Sequence, residues 1–559
     1  MAQNKITRPE LFFCLAGPVG VDLDAINQRF ETQLQQYNYK AVHIHITELL
    51  PLIKESLGGP FDTLAERYDR LISGANELRK SLDDDRLMAI LSLFQIRAER
   101  AKLAEQRDGR AEGDRPGIAY IIRQLKRPEE IRFYRQLYGK QVFQVSVWAD
   151  PEQRRSRLAR KMRDHDRTKT RAIDFAPSAL ELVNRDESET ALLHGQRVVD
   201  VFPLADVFID ATSNETISKT TERFLRLVFG HNFHSPTREE YGMYIAKSAS
   251  LRSVDLSRQV GAAVFSKSGE IRVLGCNEVP SPFGGTYWEG DQGDAREFVT
   301  GADTNDEFKH RIFGDIIRKL CEADLLPKEY AKLGSREFIA KVEHEKGVDL
   351  NRKLLMMDII EYGRIIHAEM NAITDAARKG VSLDGTTLFC TTFPCHLCAK
   401  HIISSGIDRV VYIEPYPKSY AHELYRDDIV LTRQDTPQKG KVSFEPFIGI
   451  APFRYRDLFE KNRRKDTTGV AMEWQAKIPL PCLEVYGDSY VADEVNHLKE
   501  LIAKFADKKV MLPGSMLEGI METPHPTAEQ ATESPPGRKR RSATRMVKGK
   551  PRLPNSRTK

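Results

Sequence analysis

Two short motifs constrain the fold of this 559-residue chain more than any other feature. The first is His367-Ala-Glu369, and the second, Pro394-Cys395-His-Leu-Cys398, begins 25 residues after that glutamate. Two thiolates at C-x-x-C spacing and one imidazole fill three positions of a tetrahedral Zn²⁺ and leave the fourth for water, as in catalytic zinc sites. The chain must therefore fold so that the two motifs meet around one metal ion.

Glu369 is the candidate catalytic residue. Its carboxylate stands two residues from the histidine ligand, where it can carry protons between water and a reacting ring without binding the metal. A structural zinc site would need a fourth protein ligand, and the candidates are poor: His396 lies between the cysteines, and His401 lies three residues beyond Cys398. The pattern is the signature of zinc-dependent nucleobase deaminases.

The residues around the motifs predict the elements that carry them. Apolar and helix-forming residues run from 354 to 377 and stop at Gly380, which predicts a helix that includes both the histidine and the glutamate. Residues 386–392 are typical of a buried strand. Pro394 suits the first turn of the next helix, whose positive end favours thiolates over thiols. The site is therefore expected where helices meet the end of a strand.

Segments before and after the first motif make the chain resemble the deoxycytidylate deaminase family. They are ASLRSVDLSRQVGAAV at 249–264, GCNEVP at 275–280, HAEMNAI at 367–373 and TTFPCHLCAKHIISSGI at 391–407. The resemblance covers about 241–420 and extends more loosely to about 490. It implies the cytidine deaminase fold, a mixed five-stranded sheet with the zinc helices on one face. It also implies hydrolysis of a free deoxycytidine nucleotide, dCMP or dCTP, to the deoxyuridine nucleotide and ammonia.

The same resemblance implies a set of substrate contacts. Asn277 would hold the deoxyribose, and Arg258 and Gln259 would face sugar and phosphate. Thr391 and Phe393 would line the base pocket, and Ala368 would also bind substrate. Taken alone, these residues have ordinary explanations as well. The arginine suits a solvated turn, the asparagine suits a turn beside a proline, and the phenylalanine suits a core.

One long insertion departs from the family pattern. Between Pro280 and His367 lie 86 residues, where the resemblance implies a shorter connection, and the inserted part is about 281–355. The helical pattern between residues 306 and 346 favours structure over disorder. Loops of this length are usually functional or carry their own elements. Three roles stay open: a cover for the pocket, a site for a regulatory nucleotide, or a contact in a homo-oligomer.

The first 230 residues predict a different α/β unit. Buried strands at 11–16, 141–148 and 205–210 alternate with helices at 25–34 and 215–229, which favours a doubly wound parallel sheet. The unit looks like the P-loop nucleotide kinases, with Gly17-Pro-Val-Gly20 as the phosphate loop. That loop is degenerate, because Val21, Asp22 and Leu23 replace the lysine and hydroxyl residue of a working loop. We expect a regulatory unit without phosphoryl transfer, or a glycine turn that binds no nucleotide.

Charge, cysteine content and hydropathy indicate the character of the tail, the cellular compartment and whether the chain spans a membrane. The chain has 85 basic and 80 acidic residues, but residues 538–559 hold ten Lys and Arg and no acid, so the basic character belongs to this tail. Residues 516–559 are expected to be disordered, with or without a nucleic-acid partner. The odd number of cysteines, seven, fits a reducing cytoplasm. Because no run of about 18 apolar residues exists, no membrane span is expected.

We therefore predict an α/β chain with three parts: a degenerate P-loop kinase-like unit at 1–230, a zinc-dependent deoxycytidylate deaminase unit at 235–515, and the tail. This order resembles bacterial deaminases that defend against phage. That resemblance implies depletion of dCMP and dCTP during infection, with restraint by a partner that in part of the group is a small RNA. Two alternatives remain: a deaminase of bases within RNA or single-stranded DNA, and a regulatory protein with a relic site. The intact His, Glu and two Cys argue against the relic.

Overall fold

The computed structural model describes residues 6–105, 115–166, 171–187, 196–416, 419–431, 433, 440–461, 463–474, 478–510, 512–514 and 516. Within these ranges, twelve strands form two six-stranded sheets. The strands of the first sheet are β1 (Leu11–Ala16), β2 (Tyr39–His45), β3 (Gly117–Arg123), β4 (Val142–Trp148), β5 (Val207–Asp210) and β12 (Gly449–Ile450). Those of the second sheet are β6 (Gly261–Phe265), β7 (Ile271–Cys276), β8 (Thr387–Thr392), β9 (Arg409–Glu414), β10 (Ile429–Val430) and β11 (Val442–Pro446).

Nineteen α-helices connect and cover these strands in the described part of the chain. They are α1 (Leu23–Gln36), α2 (Leu50–Ile53), α3 (Leu64–Leu82), α4 (Leu87–Glu105), α5 (Pro128–Tyr138), α6 (Pro151–Asp166), α7 (Ala176–Glu187), α8 (Val198–Val201), α9 (Asn214–Val228), α10 (Arg238–Ser250), α11 (Glu297–Thr300), α12 (Thr304–Glu322), α13 (Ser335–Lys346), α14 (Leu350–Lys353), α15 (Ala368–Lys379), α16 (His396–Ser404), α17 (Ala421–Leu424), α18 (Tyr455–Phe459) and α19 (Tyr490–Asp507). No described helix combines the length and apolarity that crossing a membrane requires.

The first sheet has the order β12-β5-β4-β1-β3-β2 and is parallel except at β12. Its central strand, β1, is buried on both faces: Phe12 and Cys14 enter one core, while Phe13 and Leu15 enter the other. A strand covered on both faces needs this continuous apolar run, because its side chains alternate in direction. The predicted doubly wound parallel sheet is confirmed.

The second sheet has the order β10-β11-β9-β8-β6-β7, with β6 antiparallel to both its neighbours and the other pairs parallel. The predicted mixed sheet is therefore confirmed, with a two-residue sixth strand, β10, beyond the five expected. Helices α15 and α16 share one apolar cluster with one face of this sheet. The opposite face packs with α10 and with Phe208 of the first sheet.

The end of the described chain returns to the first sheet. Strand β12 pairs antiparallel with β5, and α19 packs its apolar side, Leu498, Leu501 and Phe505, into a core of the first sheet. Each such side chain contributes about 1.5–3 kcal/mol when fully buried. The range 235–515, predicted from the sequence as one deaminase unit, therefore includes segments that complete the neighbouring sheet. The predicted tail lies almost wholly outside the described residues.

Candidate metal centre and active site

Helix α15 presents the histidine and the glutamate of the first motif. It begins at Ala368, with His367 as its extended N-cap residue and Glu369 in its first turn, and it ends at Gly380 in the left-handed region. The predicted helical start at residue 354 is wrong. Ile366 instead exchanges backbone hydrogen bonds with Glu278, which holds this segment extended up to the histidine.

A glycine in β7 lets α15 approach the sheet closely. A Cβ atom on Gly275 would lie 2.0 Å from the Ala368 carbonyl oxygen and 2.7 Å from the Ala372 nitrogen, so no larger residue fits without moving the helix. The Asn371 side-chain amide also donates to the Cys276 carbonyl at 2.9 Å. The helix that carries the site is therefore fixed to the end of β7 at two points.

Helix α16 presents the two cysteines. Cys395 is its N-cap residue, and the Cys395 sulfur accepts a hydrogen bond from the Cys398 backbone N–H at 3.4 Å. Pro394 was predicted to lie in the first helical turn, but it lies two positions before the first helical residue, His396. Hydrogen bonds with Cys398 and His367 lower the pKa of the Cys395 thiol to about 4. These hydrogen bonds favour the thiolate form of Cys395, which metal binding requires.

His367, Cys395 and Cys398 form the one His, Cys, Asp and Glu group suited to a metal among the described residues, with ligand atoms within 4.8 Å of one another. The His367 Nδ1 lies 3.3 Å from the Cys395 sulfur and 3.4 Å from the Cys398 sulfur. Tetrahedral Zn²⁺ with usual bond lengths places such atoms roughly 3.5 Å apart. The three side chains fit one Zn²⁺ ion per chain, the cofactor predicted from the sequence.

Glu369 lies beside the metal ligands but outside their group. The side chain is 4 % exposed. Burial raises the pKa of the Glu369 carboxyl, and the negative charge on Cys395 raises the pKa further. A carboxyl group whose pKa is raised holds a proton more readily than an ordinary carboxyl group, which suits a general acid and base.

A cavity of about 170 Å³ opens beside these groups. Five of the residues predicted from the sequence to act in catalysis or substrate binding line it: Arg258, Asn277, Ala368, Glu369 and Phe393. The cavity also contains two metal ligands, His367 and Cys395. The structure therefore gathers most of the predicted site around one space.

The Asn277 side chain forms hydrogen bonds with the backbone beside the cavity. Its side-chain oxygen accepts from the Val260 N–H at 2.6 Å, and its amide nitrogen donates to Asp255 at 2.7 Å and to the Arg258 carbonyl at 2.8 Å. Both donor hydrogens are thereby used within the protein. Asn277 holds the segment that carries Arg258, whose guanidinium lies 4.6 Å from the centre of the Tyr416 ring.

Two predicted contacts lie outside the cavity lining. Gln259 is exposed and donates its side-chain amide to the Ser253 carbonyl at 2.7 Å. Thr391 is buried, and its hydroxyl accepts from the Gly261 N–H at 3.1 Å, whereas the next residue, Thr392, lines the cavity. Because side chains alternate along a strand, an error of one position on β8 selects the wrong face.

The segment between Pro280 and His367 covers part of the cavity. Three of the cavity's lining residues, Glu297, Asp303 and Asn305, belong to the insertion, and three more follow it: Ile360, Gly363 and Ile365. Arg252 holds the start of the insertion, because its guanidinium donates to Thr286 and lies 3.6 Å from the centre of the Trp288 ring. The sequence motifs did not predict that these residues line the cavity, and they did not predict it for Asp255 and Tyr416. The helical pattern at 306–346, confirmed as α12 and α13, was the available signal.

The two glycines predicted for a phosphate loop lie between β1 and α1. Gly20 has a φ of 94°, and a Cβ atom there would lie 2.6 Å from the Arg154 carbonyl oxygen. Its lack of a side chain therefore serves packing against α6. Gly17 lines a separate cavity at the same edge of the first sheet.

The region around the metal ligands is similar to a family of known proteins. Residues 236–414 match the family model described as "Cytidine and deoxycytidylate deaminase zinc-binding region". This part of the chain is therefore similar to the zinc-binding region of cytidine and deoxycytidylate deaminases. The match spans α10 to β9 and includes the three metal ligands and Glu369.

Several curated relatives share this region. The chain is 54% identical over 54 residues to the deoxycytidylate deaminase of Enterobacteria phage T2, covering 10% of the chain and 29% of the relative. It is 40% identical over 90 residues to ComE operon protein 2 of Bacillus subtilis, covering 14% and 48%. The chain thus spans less than half the length of these relatives. A dCMP deaminase from cyanophage S-TIM5, solved with dCMP and dUMP, aligns at 20% identity and a TM-score of 0.21, over 38% of this chain and 98% of that one.

Proposed function

We propose that the chain deaminates free deoxycytidine nucleotides, dCMP or dCTP, to deoxyuridine nucleotides and ammonia. The observation that carries the proposal is the buried Glu369 carboxyl beside the His367, Cys395 and Cys398 group, in a cavity that Arg258 also lines. Curated relatives of the matching region are named deoxycytidylate deaminases, which supports this substrate class.

Each side chain of the site has a role in this reaction. His367, Cys395 and Cys398 would hold Zn²⁺, which when bound would lower the pKa of water and so make it a nucleophile. Glu369 would take a proton from the attacking water and deliver a proton to the ring nitrogen and the departing amine. Phe393 contacts the base, and Arg258, held by Asn277 and Tyr416, pairs with the phosphate. Atoms balance, because water adds an oxygen at C4 and ammonia leaves.

A deaminase of cytosine or adenine within RNA or single-stranded DNA is the alternative. The zinc group alone would serve either reaction. Two carboxylates of the insertion, Glu297 and Asp303, line the cavity and would repel the phosphates of a strand that entered from their side. A single nucleotide needs only one anion site, and Arg258 provides it.

The proposal extends to the cellular role. We infer a cytoplasmic homo-oligomer that depletes deoxycytidine nucleotides during phage infection, with the first sheet as a degenerate P-loop regulatory unit and a small RNA as a restraining partner. The resemblance in domain order supports this role. The Asp22 side chain, which accepts from the Ala25 N–H at 3.1 Å, supports the absence of phosphoryl transfer, because a carboxylate occupies the start of α1.

A substrate panel tests the proposed activity. Purified full-length protein is incubated with deoxycytidine, dCMP, dCTP, CMP and a cytosine-containing single-stranded oligonucleotide, and ammonia release is measured for each. We expect dCMP or dCTP to react fastest, and we expect the reaction to fall by about 10²–10⁴-fold in the Glu369→Ala variant. Faster reaction of the oligonucleotide would establish the alternative, and equal reaction of deoxycytidine would reject the phosphate contact.

An Asn277→Ala variant tests how the substrate is held. Loss of three hydrogen bonds should release the 255–260 segment and raise the Michaelis constant for the nucleotide at least tenfold. A smaller change is expected for Gln259→Ala, because that side chain lies outside the cavity lining. Equal Michaelis constants in the two variants would reject the role given to Asn277.

A further inference from the structure

The active-site cavity contains a buried carboxylate outside the zinc group. Glu297 lines this cavity, and it is the first residue of α11, within the insertion. The residue is 5 % exposed. Burial raises the pKa of the Glu297 carboxyl, and the charges of Asp303 and Asp255 raise it further. Such a group needs a partner, because a carboxylate that leaves water loses its hydration.

Glu297 has one weak partner among the described residues. Its Oε1 accepts from the Thr304 N–H at 3.4 Å, which is longer than a usual hydrogen bond. No described residue donates a hydrogen bond to Oε2 or forms an ion pair with the carboxylate. The neighbouring cation, Arg364, donates to the Ala295 carbonyl at 3.0 Å instead. One oxygen of a buried carboxylate is therefore left for a bound molecule.

Other polar side chains of the cavity lining bond within the protein. Asp255 accepts from the Ser257 N–H at 2.7 Å with Oδ1 and from the Asn277 amide at 2.7 Å with Oδ2. Asn305 uses its amide group as donor and as acceptor to the backbone of residues 359–362, at 2.8 and 3.2 Å. These side chains hold the walls of the cavity, so fewer of their polar atoms are free for a substrate.

Asp303 differs from Glu297 in its exposure. It caps α12, because its Oδ1 accepts from the Asp306 N–H at 3.1 Å, and the residue is half-buried, so water reaches it. Asp255 is likewise half-buried. Among the described carboxylates that line the cavity, other than Glu369, Glu297 is therefore the one that is buried and keeps an unused oxygen.

The cavity thus offers one molecule a cation, Arg258, and a hydrogen-bond acceptor, Glu297. An ionised carboxylate accepts hydrogen bonds and donates none. A free deoxycytidine nucleotide has a phosphate for the arginine and a 3′-hydroxyl, whose O–H can be donated to the carboxylate. Inside a nucleic-acid strand the 3′ oxygen is esterified to the next phosphate and has no hydrogen to donate. An acceptor at this place therefore distinguishes a free nucleotide from an internal nucleotide of a strand.

We propose that Glu297 accepts a hydrogen bond from the 3′-hydroxyl of the bound deoxycytidine nucleotide and is a specificity-determining residue for free nucleotides. This role rests on the proposed function, and it gives to the insertion a contact that the sequence resemblance assigned to Asn277. Both amide hydrogens of Asn277 are used within the protein. A buried acceptor without its donor is costly, so an analogue that lacks the hydroxyl should react poorly.

Steady-state deamination of dCMP and dCTP, each beside its 2′,3′-dideoxy analogue, tests this contact. Ammonia release gives kcat/KM for the full-length native protein and for Glu297→Ala, Glu297→Gln and Glu307→Ala. Glu307 is an exposed glutamate of α12 outside the cavity lining, so its variant is the matched control. Zinc content shows whether each variant retains the metal site.

The native protein should prefer the nucleotide with the 3′-hydroxyl over its analogue by about tenfold or more in kcat/KM. Glu297→Ala should bring this ratio close to one, because the acceptor is gone. Glu297→Gln keeps one acceptor oxygen and should give an intermediate ratio. Glu307→Ala should keep the native ratio.

A native ratio near one would overturn the role of Glu297 without any variant. A native ratio that Glu297→Ala and Glu297→Gln leave unchanged would overturn it as well, since an equal loss on both members of a pair indicates a structural role. No reaction of dCMP or dCTP in the native protein would reject the proposed function, and the role of Glu297 with it.

Discussion

The two sheets use the same structural device, a helix N-terminus at a strand edge, in opposite ways. In the second sheet, the N-cap residues of α15 and α16 are His367 and Cys395, so two helix ends present reactive groups to one metal. In the first sheet, Asp22 caps α1 and Asp186 takes the neighbouring loop N–H. The difference between the sheets is the residue at the helix terminus. In the second sheet this residue can bind a metal ion, whereas in the first sheet a carboxylate of the protein already accepts the free N–H groups.

The largest expected effect comes from the metal centre. Cys398→Ala should lose zinc and activity together, whereas Glu369→Ala should lose activity by about 10²–10⁴-fold while zinc stays near one per chain. Metal analysis of the purified proteins and the ammonia assay give both numbers. Cys321→Ala, a buried cysteine of the insertion, should keep both. Zinc loss in Glu369→Ala would show that the carboxylate is a ligand.

The next effect concerns how α15 is placed. Gly275→Ala should lower the free energy of unfolding by about 1–3 kcal/mol and reduce activity, because its Cβ meets backbone atoms of α15. The control is Gly314→Ala inside α12, where the nearest atom lies 3.9 Å from the new Cβ. That change should leave stability equal or raise it. Unchanged activity in Gly275→Ala would show that the helix position tolerates movement.

On the first sheet, the cap of α1 should affect stability without affecting chemistry. Asp22→Ala removes the hydrogen bond to the Ala25 N–H and should cost about 1 kcal/mol, measured by urea unfolding, with deamination unchanged. Asp22→Ser retains a capping oxygen and should restore most of this stability. A loss of deamination in Asp22→Ala at full zinc content would contradict the separation of the two sites.

The smallest expected effect is pH-dependent and concerns α19. Burial would raise the pKa of Asp84, but hydrogen bonds from Arg86 and Lys504 outweigh burial and lower it to about 2. The stabilising contribution is therefore present above the unfolded pKa of about 3.9 and is lost as the pH falls through about 2. Lys504→Met should destabilise by less than about 1 kcal/mol near neutral pH.

Unfolding curves at several pH values check this expectation. The difference between Lys504→Met and the native protein should shrink between pH values of about 4 and 2. Lys499→Met, an exposed lysine on the same helix, should show no such trend. A difference that stays constant with pH would mean that Lys504 acts through its alkyl chain.

The sequence predicted those features that local pattern and motif spacing control. The apolar run of β1, the glycine end of α15 and the helix end that carries Cys395 all follow from neighbouring residues. Neighbouring residues did not determine whether Thr391 or Thr392 faces the cavity, because a threonine fits on either face of a fully buried strand. The start of α15 also depended on a distant partner, since Glu278 pairs with Ile366 and holds the preceding residues extended.

The local sequence could not predict which residues of the insertion line the cavity. Glu297 and Asn305 line the cavity only because Arg252 and the helices α12 and α13 hold the insertion against it. No motif marks such residues, since their role depends on where a long connection comes to lie. The position of Tyr416 could not be predicted either, because its ring contacts Arg258, which lies far away along the chain.

The return of β12 and α19 to the first sheet fixes an order of events during synthesis. The first 230 residues leave the ribosome long before Ile450 and Phe505, which belong to the two cores of that sheet. Residues 236–414, which match the family model, are also synthesised before Ile450 and Phe505. Both cores of the first sheet are therefore completed only by residues made after that region, and a fragment that starts near residue 232 would expose the apolar side of α19.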